Sequence, residues 1–95
     1  MEKPKTKIEL NYSRVADKFF KEHPEIKEKF KENLKNFYVN SEKNVDIKII
    51  KGIKPTQYRM RIGKYRIIFY VNKEKILLYS IFVEKADSRG EIYKK

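Results

Sequence analysis

Three arginines flank a short turn signal near the middle of the chain. Arg59 and Arg61 precede Gly63-Lys64, and Arg66 follows it. A two-residue loop that contains glycine joins antiparallel strands and sets their register, which places Arg61 opposite Arg66 and Arg59 diagonal to Arg66. Like charges directly opposite each other destabilise a sheet, so three guanidinium groups on one sheet face indicate a function.

Clustered guanidinium groups are suited to gripping phosphate. Each binds a phosphate through two parallel hydrogen bonds and keeps its charge at any relevant pH. Aromatic side chains beside them can stack on the splayed bases that single-stranded RNA presents. The alternative interpretation is a solvated sheet face whose arginines only prevent edge-to-edge aggregation.

The other face of the same hairpin is apolar, which agrees with the register that the turn sets. The facing pairs on that side are Ile62–Tyr65, Met60–Ile67 and Tyr58–Phe69. We expect this side to cover the core. A second turn at Lys73-Glu74 would pair Phe69 with Leu78 and Tyr65 with Phe82 on the core side. It would also place four side chains beside the arginines: Ile68, Tyr70, Tyr79 and Ile81.

The remaining periodicity predicts the elements that position this face. Ser13 is placed to cap a helix that ends at His23, because the residue before a proline leaves helical geometry. Pro24 can occupy the first turn of a second helix, whose apolar residues recur every three or four positions up to residue 38. After residue 45 the period changes to two, which predicts strands at 45–50, 57–62, 65–71 and 76–83.

Together these elements predict an α+β fold in which two N-terminal helices pack on one face of a curved antiparallel β-sheet. Residues 7–10 alternate as a short edge strand would. We divide the chain into a flexible basic tail at 1–6 and a single domain at 7–95, because a chain of 95 residues is typical of one domain.

The composition limits the partners and the chemistry. The formal net charge is +11, from 24 Lys and Arg against 13 Asp and Glu, which favours a polyanionic partner such as nucleic acid. The chain has no cysteine, so disulfides and thiolate zinc sites are excluded. The acidic residues lack metal-ligand spacing, and no apolar run is long enough to span a membrane. We therefore expect no cofactor, no metal, no membrane partner, no signal peptide and a cytoplasmic location.

Two stretches and one dipeptide resemble a known family. The hairpin Tyr58–Val71 resembles the central hairpin of the RelE/ParE toxin superfamily, and Ser88–Lys94 resembles its C-terminal signature. Lys51-Gly52 matches a lysine-glycine step that is common there. With the helices upstream, the resemblance covers nearly the whole chain. It implies a toxin of a type II toxin–antitoxin system, with the RelE-like two-layer fold and a cognate antitoxin protein that neutralises it.

The RelE branch of this family cuts mRNA in the ribosomal A site, and the resemblance implies the residues that do so. The matching positions in this sequence are Arg59, Arg61, Arg66, Arg89 and Tyr93. In this reading Arg66 would stabilise the phosphorane. Tyr93 would stack on or orient the base beside the cut. Arg89 would grip the scissile phosphate or favour departure of the 5′ oxygen.

Arg59 and Arg61 stand where the best-known member of the family has lysines. Arginine almost never gives up its proton, so neither residue is suited to act as the general base. Lys51, Glu91 and a group supplied by the ribosome stay open for that role. We expect further contacts with RNA from four residues: Lys51, Lys64, Tyr79 and Lys85.

Three functional hypotheses follow. The first is a metal-independent endoribonuclease, an mRNA interferase, whose partners are the ribosome, mRNA and an antitoxin. The second is a non-enzymatic inhibitor of DNA gyrase, as the ParE branch of the family implies. The third is a basic RNA-binding module whose catalytic residues have decayed. The complete set of arginines and tyrosine favours the first hypothesis.

Overall fold

The computed structural model describes residues 7–42, 44–51, 56–75 and 78–88. The elements in chain order are strand β1 (Lys7–Tyr12), helices α1 (Arg14–Glu22) and α2 (Pro24–Leu34), a π-helical turn (Lys35–Val39), and strands β2 (Ile47–Lys51), β3 (Thr56–Ile62), β4 (Tyr65–Lys75) and β5 (Leu78–Ser88). The predicted tail at residues 1–6 lies outside the described residues. No helix in the described ranges is long and apolar enough to cross a membrane.

Both helices begin where the sequence predicts, and α1 ends there too, whereas α2 stops at Leu34 and a π-helical turn covers the rest of its predicted length. The Ser13 hydroxyl accepts a hydrogen bond from the Ala16 amide at 3.1 Å and donates one to the Glu84 carbonyl at 2.6 Å. It therefore caps α1 and ties the start of that helix to β5. α1 ends at Glu22, and Pro24 occupies the first turn of α2, where its missing amide hydrogen is not needed.

The sheet has five strands in the order β1-β5-β4-β3-β2. The α+β class with two helices on a sheet is confirmed, and the edge position of β1 is confirmed as well. The prediction of an entirely antiparallel sheet was wrong, because β1 runs parallel to β5. Strands β2 to β5 are each antiparallel to the next. β1 is separated from β5 by the whole helical layer and three strands, so no short turn fixed its direction in the sequence.

The core lies between the helices and one face of the sheet. Aromatic rings connect the two layers, since Phe30 stacks on Phe20 at 5.5 Å and meets Phe69 edge-on at 5.7 Å between ring centroids. The most deeply buried large side chains are Phe20, Phe30, Leu34, Met60, Ile67, Phe69, Ile81 and Val83. Because side chains alternate across a strand, the residues between these on β3 and β4 point away from the helices.

The hairpin of β3 and β4 has the predicted register. Gly63 adopts a φ of +57°, a left-handed conformation that glycine adopts at little cost. Arg61 lies directly opposite Arg66. The three apolar pairs face the helices as expected, so Arg59, Arg61 and Arg66 share the face of the sheet that the helices leave uncovered. We call this surface the arginine face.

The predicted turn at Lys73-Glu74 was wrong. β4 continues to Lys75 and β5 begins at Leu78, and a bulge at Glu84 shifts the register further. The pairs on the arginine face are Arg66–Asp87, Ile68–Lys85, Tyr70–Phe82 and Asn72–Ser80. As a result Tyr79 and Ile81 lie on the helix-facing side, and Phe82 lies on the arginine face, the reverse of the expectation.

Candidate functional site

The arginines line an open cleft of about 440 Å³ on the arginine face. Its walls come from β2, β3 and β4, and its lining residues are Lys48, Ile49, Ile50, Arg59, Arg61, Arg66 and Ile68. Ile68 is buried in this lining, and an apolar side chain beside the arginines lowers the local dielectric and strengthens their field. The predicted grouping of the three arginines is therefore present as a concave site.

Arg59 is held in place by a carboxylate. Its Nη1 donates to Oδ1 of Asp46 at 2.9 Å, and Arg59 is only 7% exposed. The backbone carbonyl of Asp46 also accepts a hydrogen bond from the Arg61 amide at 3.0 Å. A charge-assisted bond of this kind is strong, so Asp46 fixes the side chain of Arg59 and the backbone of Arg61 together.

Arg61 and Arg66 occupy the end of the cleft nearest the turn. Arg61 is half-buried, and its buried Nε has no hydrogen-bond partner within the described part of the chain. A buried donor without an acceptor costs about 1–3 kcal/mol, and an anionic oxygen entering the cleft would remove that cost. Arg66 is 5% exposed and lies opposite Asp87 of β5. The two guanidinium groups thus form the part of the cleft best prepared for an anion.

The structure places the other predicted site residues differently from one another. Lys85 is exposed on the arginine face, opposite Ile68. Lys64 is exposed in the turn, but its Nζ lies 5.4 Å from the ring centroid of Tyr65, on the helix-facing side. Lys51 is the last residue of β2, and its side chain is outside the described part. Arg89 and Tyr93 also lie outside the described residues, and so does Glu91.

Tyr79 is not on the arginine face, so its expected position beside the arginines was wrong. The ring of Tyr79 packs against Tyr38 of the π-helical turn, with 4.8 Å between ring centroids. Tyr79 lies opposite Lys73 rather than opposite Ile68, because β4 continues to Lys75 instead of turning at Lys73-Glu74. Tyr79 therefore joins the two layers of the fold.

The Tyr38 hydroxyl is a buried polar group in this packing. Its oxygen has no hydrogen-bond partner among the residues that the structure describes. Burial raises the pKa of Tyr38 well above its ordinary value of 10, and the neighbouring hydroxyls of Tyr58 and Tyr79 raise it further. Folding therefore favours the neutral phenol, and stability falls as the pH rises beyond 10, where the unfolded chain loses this proton and the folded chain keeps it.

Tyr38→Phe should show separately what the unpaired hydroxyl and what the raised pKa contribute to stability. At pH 7 we expect the free energy of unfolding to stay within about 1 kcal/mol of the original, because only an unpaired buried hydroxyl is lost. Above pH 10 the variant should lose less stability per pH unit than the original protein. Urea unfolding at pH 7, 9 and 10.5 measures both, with Tyr65→Phe as the control. A loss of several kcal/mol at pH 7 would show that the hydroxyl has a partner.

Sequence reasoning missed three lining residues of the cleft, Lys48, Ile49 and Ile50, and it missed Asp46, which holds Arg59. Asp46 and Lys48 alternate along β2 and its approach, as residues on one sheet face do. That pattern alone could not assign them to the arginine face, because no two-residue turn signal in the sequence fixes the register of β2 against β3. In the structure Lys48 lies opposite Arg59.

The charges around the cleft favour an anionic ligand. Among the residues that the structure describes, five basic side chains outnumber two carboxylates on this part of the arginine face. They are Lys48, Arg59, Arg61, Arg66 and Lys85 against Asp46 and Asp87. Over the described ranges, no group of three or more His, Cys, Asp or Glu could hold a metal ion. The site as described can bind phosphate and stabilise negative charge that develops on it.

A comparison with solved structures relates this architecture to a known complex. A chain in the crystal structure of the RelB-RelE antitoxin-toxin complex from Methanococcus jannaschii superposes with a TM-score of 0.60 and 29% sequence identity, over 87% of this chain and 94% of that chain. The protein is similar to a component of a toxin–antitoxin complex. The match confirms the RelE-like α+β fold. No protein-family model matches the sequence, and no curated protein sequence matches it significantly.

Proposed function

We propose that the protein is the toxin of a type II toxin–antitoxin system, a RelE-type endoribonuclease that cuts mRNA in the ribosomal A site. The observation that carries this proposal is the cleft of Arg59, Arg61 and Arg66 on the uncovered face of the sheet. The similarity to a chain of a RelB-RelE complex supports the choice of toxin–antitoxin system. Ribosomes and mRNA would be the partners, in the cytoplasm.

The proposed reaction uses the 2′-hydroxyl of the RNA as its nucleophile. Its oxygen attacks the adjacent phosphorus, the bond to the 5′ oxygen breaks, and negative charge builds on the phosphorane between these events. Arg61 and Arg66 would bind the phosphorane oxygens and stabilise that charge. Arg59, already paired with Asp46, would orient the phosphate and keep the field of the cleft positive.

The proton of the 2′-hydroxyl needs an acceptor other than an arginine. Lys48 lines the cleft and its side chain ends in an amine, so it joins Lys51, Glu91 and the ribosome as a candidate base. Arg89 would grip the scissile phosphate or favour departure of the 5′ oxygen, and Tyr93 would orient the neighbouring base. Positioning and electrostatics then supply most of the rate enhancement, without a metal.

Induction of the protein in growing cells tests the proposal. We expect growth arrest and mRNA cuts at codon positions in primer extension, with cleavage in a purified translation system that depends on ribosomes. Co-expression of an antitoxin from the neighbouring gene should restore growth, because its binding would cover the basic cleft. Purified DNA gyrase serves as the counter-assay. Intact transcripts in arrested cells, together with gyrase inhibition, would establish the non-enzymatic alternative instead.

A further inference from the structure

A second depression lies on the arginine face, farther along β4 and β5 than the cleft. It has a volume of about 170 Å³ and is lined by Tyr70, Asn72, Ser80 and Phe82. Tyr70 lies opposite Phe82, and Asn72 lies opposite Ser80. We call these four residues the aromatic patch, because two aromatic side chains form one row of it and two hydrogen-bonding side chains form the next.

The aromatic row combines an open ring with a fixed one. Phe82 is 43% exposed although it belongs to a strand inside the sheet. The Tyr70 hydroxyl accepts a hydrogen bond from Nε2 of Gln57 at 3.1 Å. A hydrogen bond to the Glu84 carboxylate raises the pKa of Tyr70 above 10, so this phenol stays neutral. The row therefore offers an apolar surface whose polar group is already engaged.

The charges near the patch favour a base over a phosphate. Glu84 lies beside Tyr70, and Glu9 of β1 lies opposite Ser80. Two carboxylates at this position repel phosphate oxygens and can accept hydrogen bonds from the amino groups of bases. Lys85, one row closer to the arginines, offers a positive charge to the backbone instead. The charge pattern thus places phosphate over the cleft and a base over the patch.

The patch lies within reach of a strand that occupies the cleft. Tyr70 follows Arg66 by four positions on β4, about 13 Å at the usual rise per residue. Ile68 lies between them on the same face and borders the cleft. A single-stranded chain that runs along β4 could therefore keep a phosphate at Arg66 while a nearby base lies over Phe82.

We propose that the aromatic patch binds one unstacked nucleobase of a single-stranded RNA, outside the phosphate that the arginines hold. The base stacks on Phe82, and the Asn72 amide and Ser80 hydroxyl bond to its edge. This inference rests on the proposed function for its ligand class, but it concerns binding and not cleavage. The aromatic face gives affinity with little preference for sequence, whereas the polar row can add some preference.

A thermodynamic cycle between Phe82 and the RNA bases tests the proposal. The probe is a 2′-O-methyl RNA of about ten nucleotides, within the range that single-strand-binding domains cover, with no 2′-hydroxyl available for cleavage. Fluorescence anisotropy at one fixed salt concentration gives its Kd for the original protein and for Phe82→Ala. Both measurements are repeated with an abasic nucleotide at each position in turn.

We expect Phe82→Ala to weaken binding of the intact RNA roughly tenfold, the effect of losing one base–aromatic stack. At one position the abasic substitution should weaken binding to the original protein by a similar factor. With that RNA, Phe82→Ala should cause almost no further change in Kd. Phe82→Tyr should keep the original affinity because it keeps the ring. Val15→Ala, which truncates a side chain that is 64% exposed on α1, should leave the Kd unchanged.

Other outcomes overturn the inference and stay distinct from the proposed function. If the effects of Phe82→Ala and of the abasic substitution add at every position, no base contacts Phe82, even if the protein cuts mRNA on ribosomes. If Phe82→Ala weakens binding of the antitoxin but leaves binding of RNA unchanged, the patch is a protein-docking surface. Absence of any RNA binding by the folded original protein at low salt would also refute it. If Phe82 is coupled to one base but the protein does not cut mRNA on ribosomes, the result supports base binding by the patch and contradicts the proposed enzyme activity.

Discussion

Arg66→Ala should lower the rate of ribosome-dependent mRNA cleavage by about 10²–10³-fold, the usual effect of removing one preorganised donor to a developing oxyanion. Arg66 is 5% exposed and lines the cleft beside Arg61, so its guanidinium is already oriented before the substrate arrives. The measurement is the single-turnover rate on ribosomes programmed with a defined mRNA. Induction of the variant in cells should permit growth.

The matched control is Arg14→Ala, which removes the same charge from an exposed position at the start of α1. It should cleave at nearly the original rate. Arg66→Lys keeps the charge but loses the two parallel hydrogen bonds, so we expect it to fall between the two. Circular dichroism and thermal unfolding establish that each variant is folded. If Arg66→Ala and Arg66→Lys are both folded and both cleave at the original rate, Arg66 takes no part in the reaction.

The arginine face could be predicted because a two-residue turn leaves little freedom. Gly63 fixes the direction and register of two strands at once, and the period of two then assigns every side chain to a face. The apolar pairs of β3 and β4 agreed with that register, and the structure confirms them. Sequence reasoning therefore succeeded where local geometry alone determines which residues meet.

The next hairpin shows why the same reasoning failed one strand later. Lys73-Glu74 looked like a turn, yet β4 continues to Lys75. Asn72 and Lys73 are exposed, and exposed polar side chains are compatible with a strand. The bulge at Glu84 added a second shift, and no residue type in the sequence marks it. Tyr65 was expected opposite Phe82 and lies opposite Ser88, and a shift of six residues by itself keeps every side chain on its expected face. The one-residue bulge makes the shift five at Phe69, which lies opposite Val83 instead of Leu78, so Tyr79 and Phe82 exchanged faces.

The residues that support the cleft were out of reach for a related reason. Asp46 contacts Arg59 because β2 pairs with β3, and the connection between those strands fixes no register from sequence. The parallel pairing of β1 with β5 likewise depends on how the helical layer crosses the sheet. The residues of the proposed reaction could be identified from their type and spacing. Asp46, which fixes Arg59, could be identified only from the pairing of β2 with β3.

Asp46→Ala should lower the free energy of unfolding by about 2–4 kcal/mol, because it leaves the guanidinium of Arg59 buried without its carboxylate. We expect a smaller loss than for a fully buried ion pair, since the Asp46 side chain is itself 43% exposed. Urea unfolding measures the change. Asp46→Asn should lose less, because the amide oxygen can still accept a hydrogen bond from Nη1.

The double variant Asp46→Ala with Arg59→Leu distinguishes a stabilising pair from a compensated charge. Removing both partners leaves no unpaired buried charge, so we expect it to recover most of the stability that Asp46→Ala loses. Cleavage should not recover with it, because the cleft has then lost one of its three arginines. If the double variant is as unstable as the sum of its single changes, Asp46 and Arg59 act independently. If it regains both stability and full activity, Arg59 contributes to the fold alone, and the phosphate is held by Arg61 and Arg66 without it.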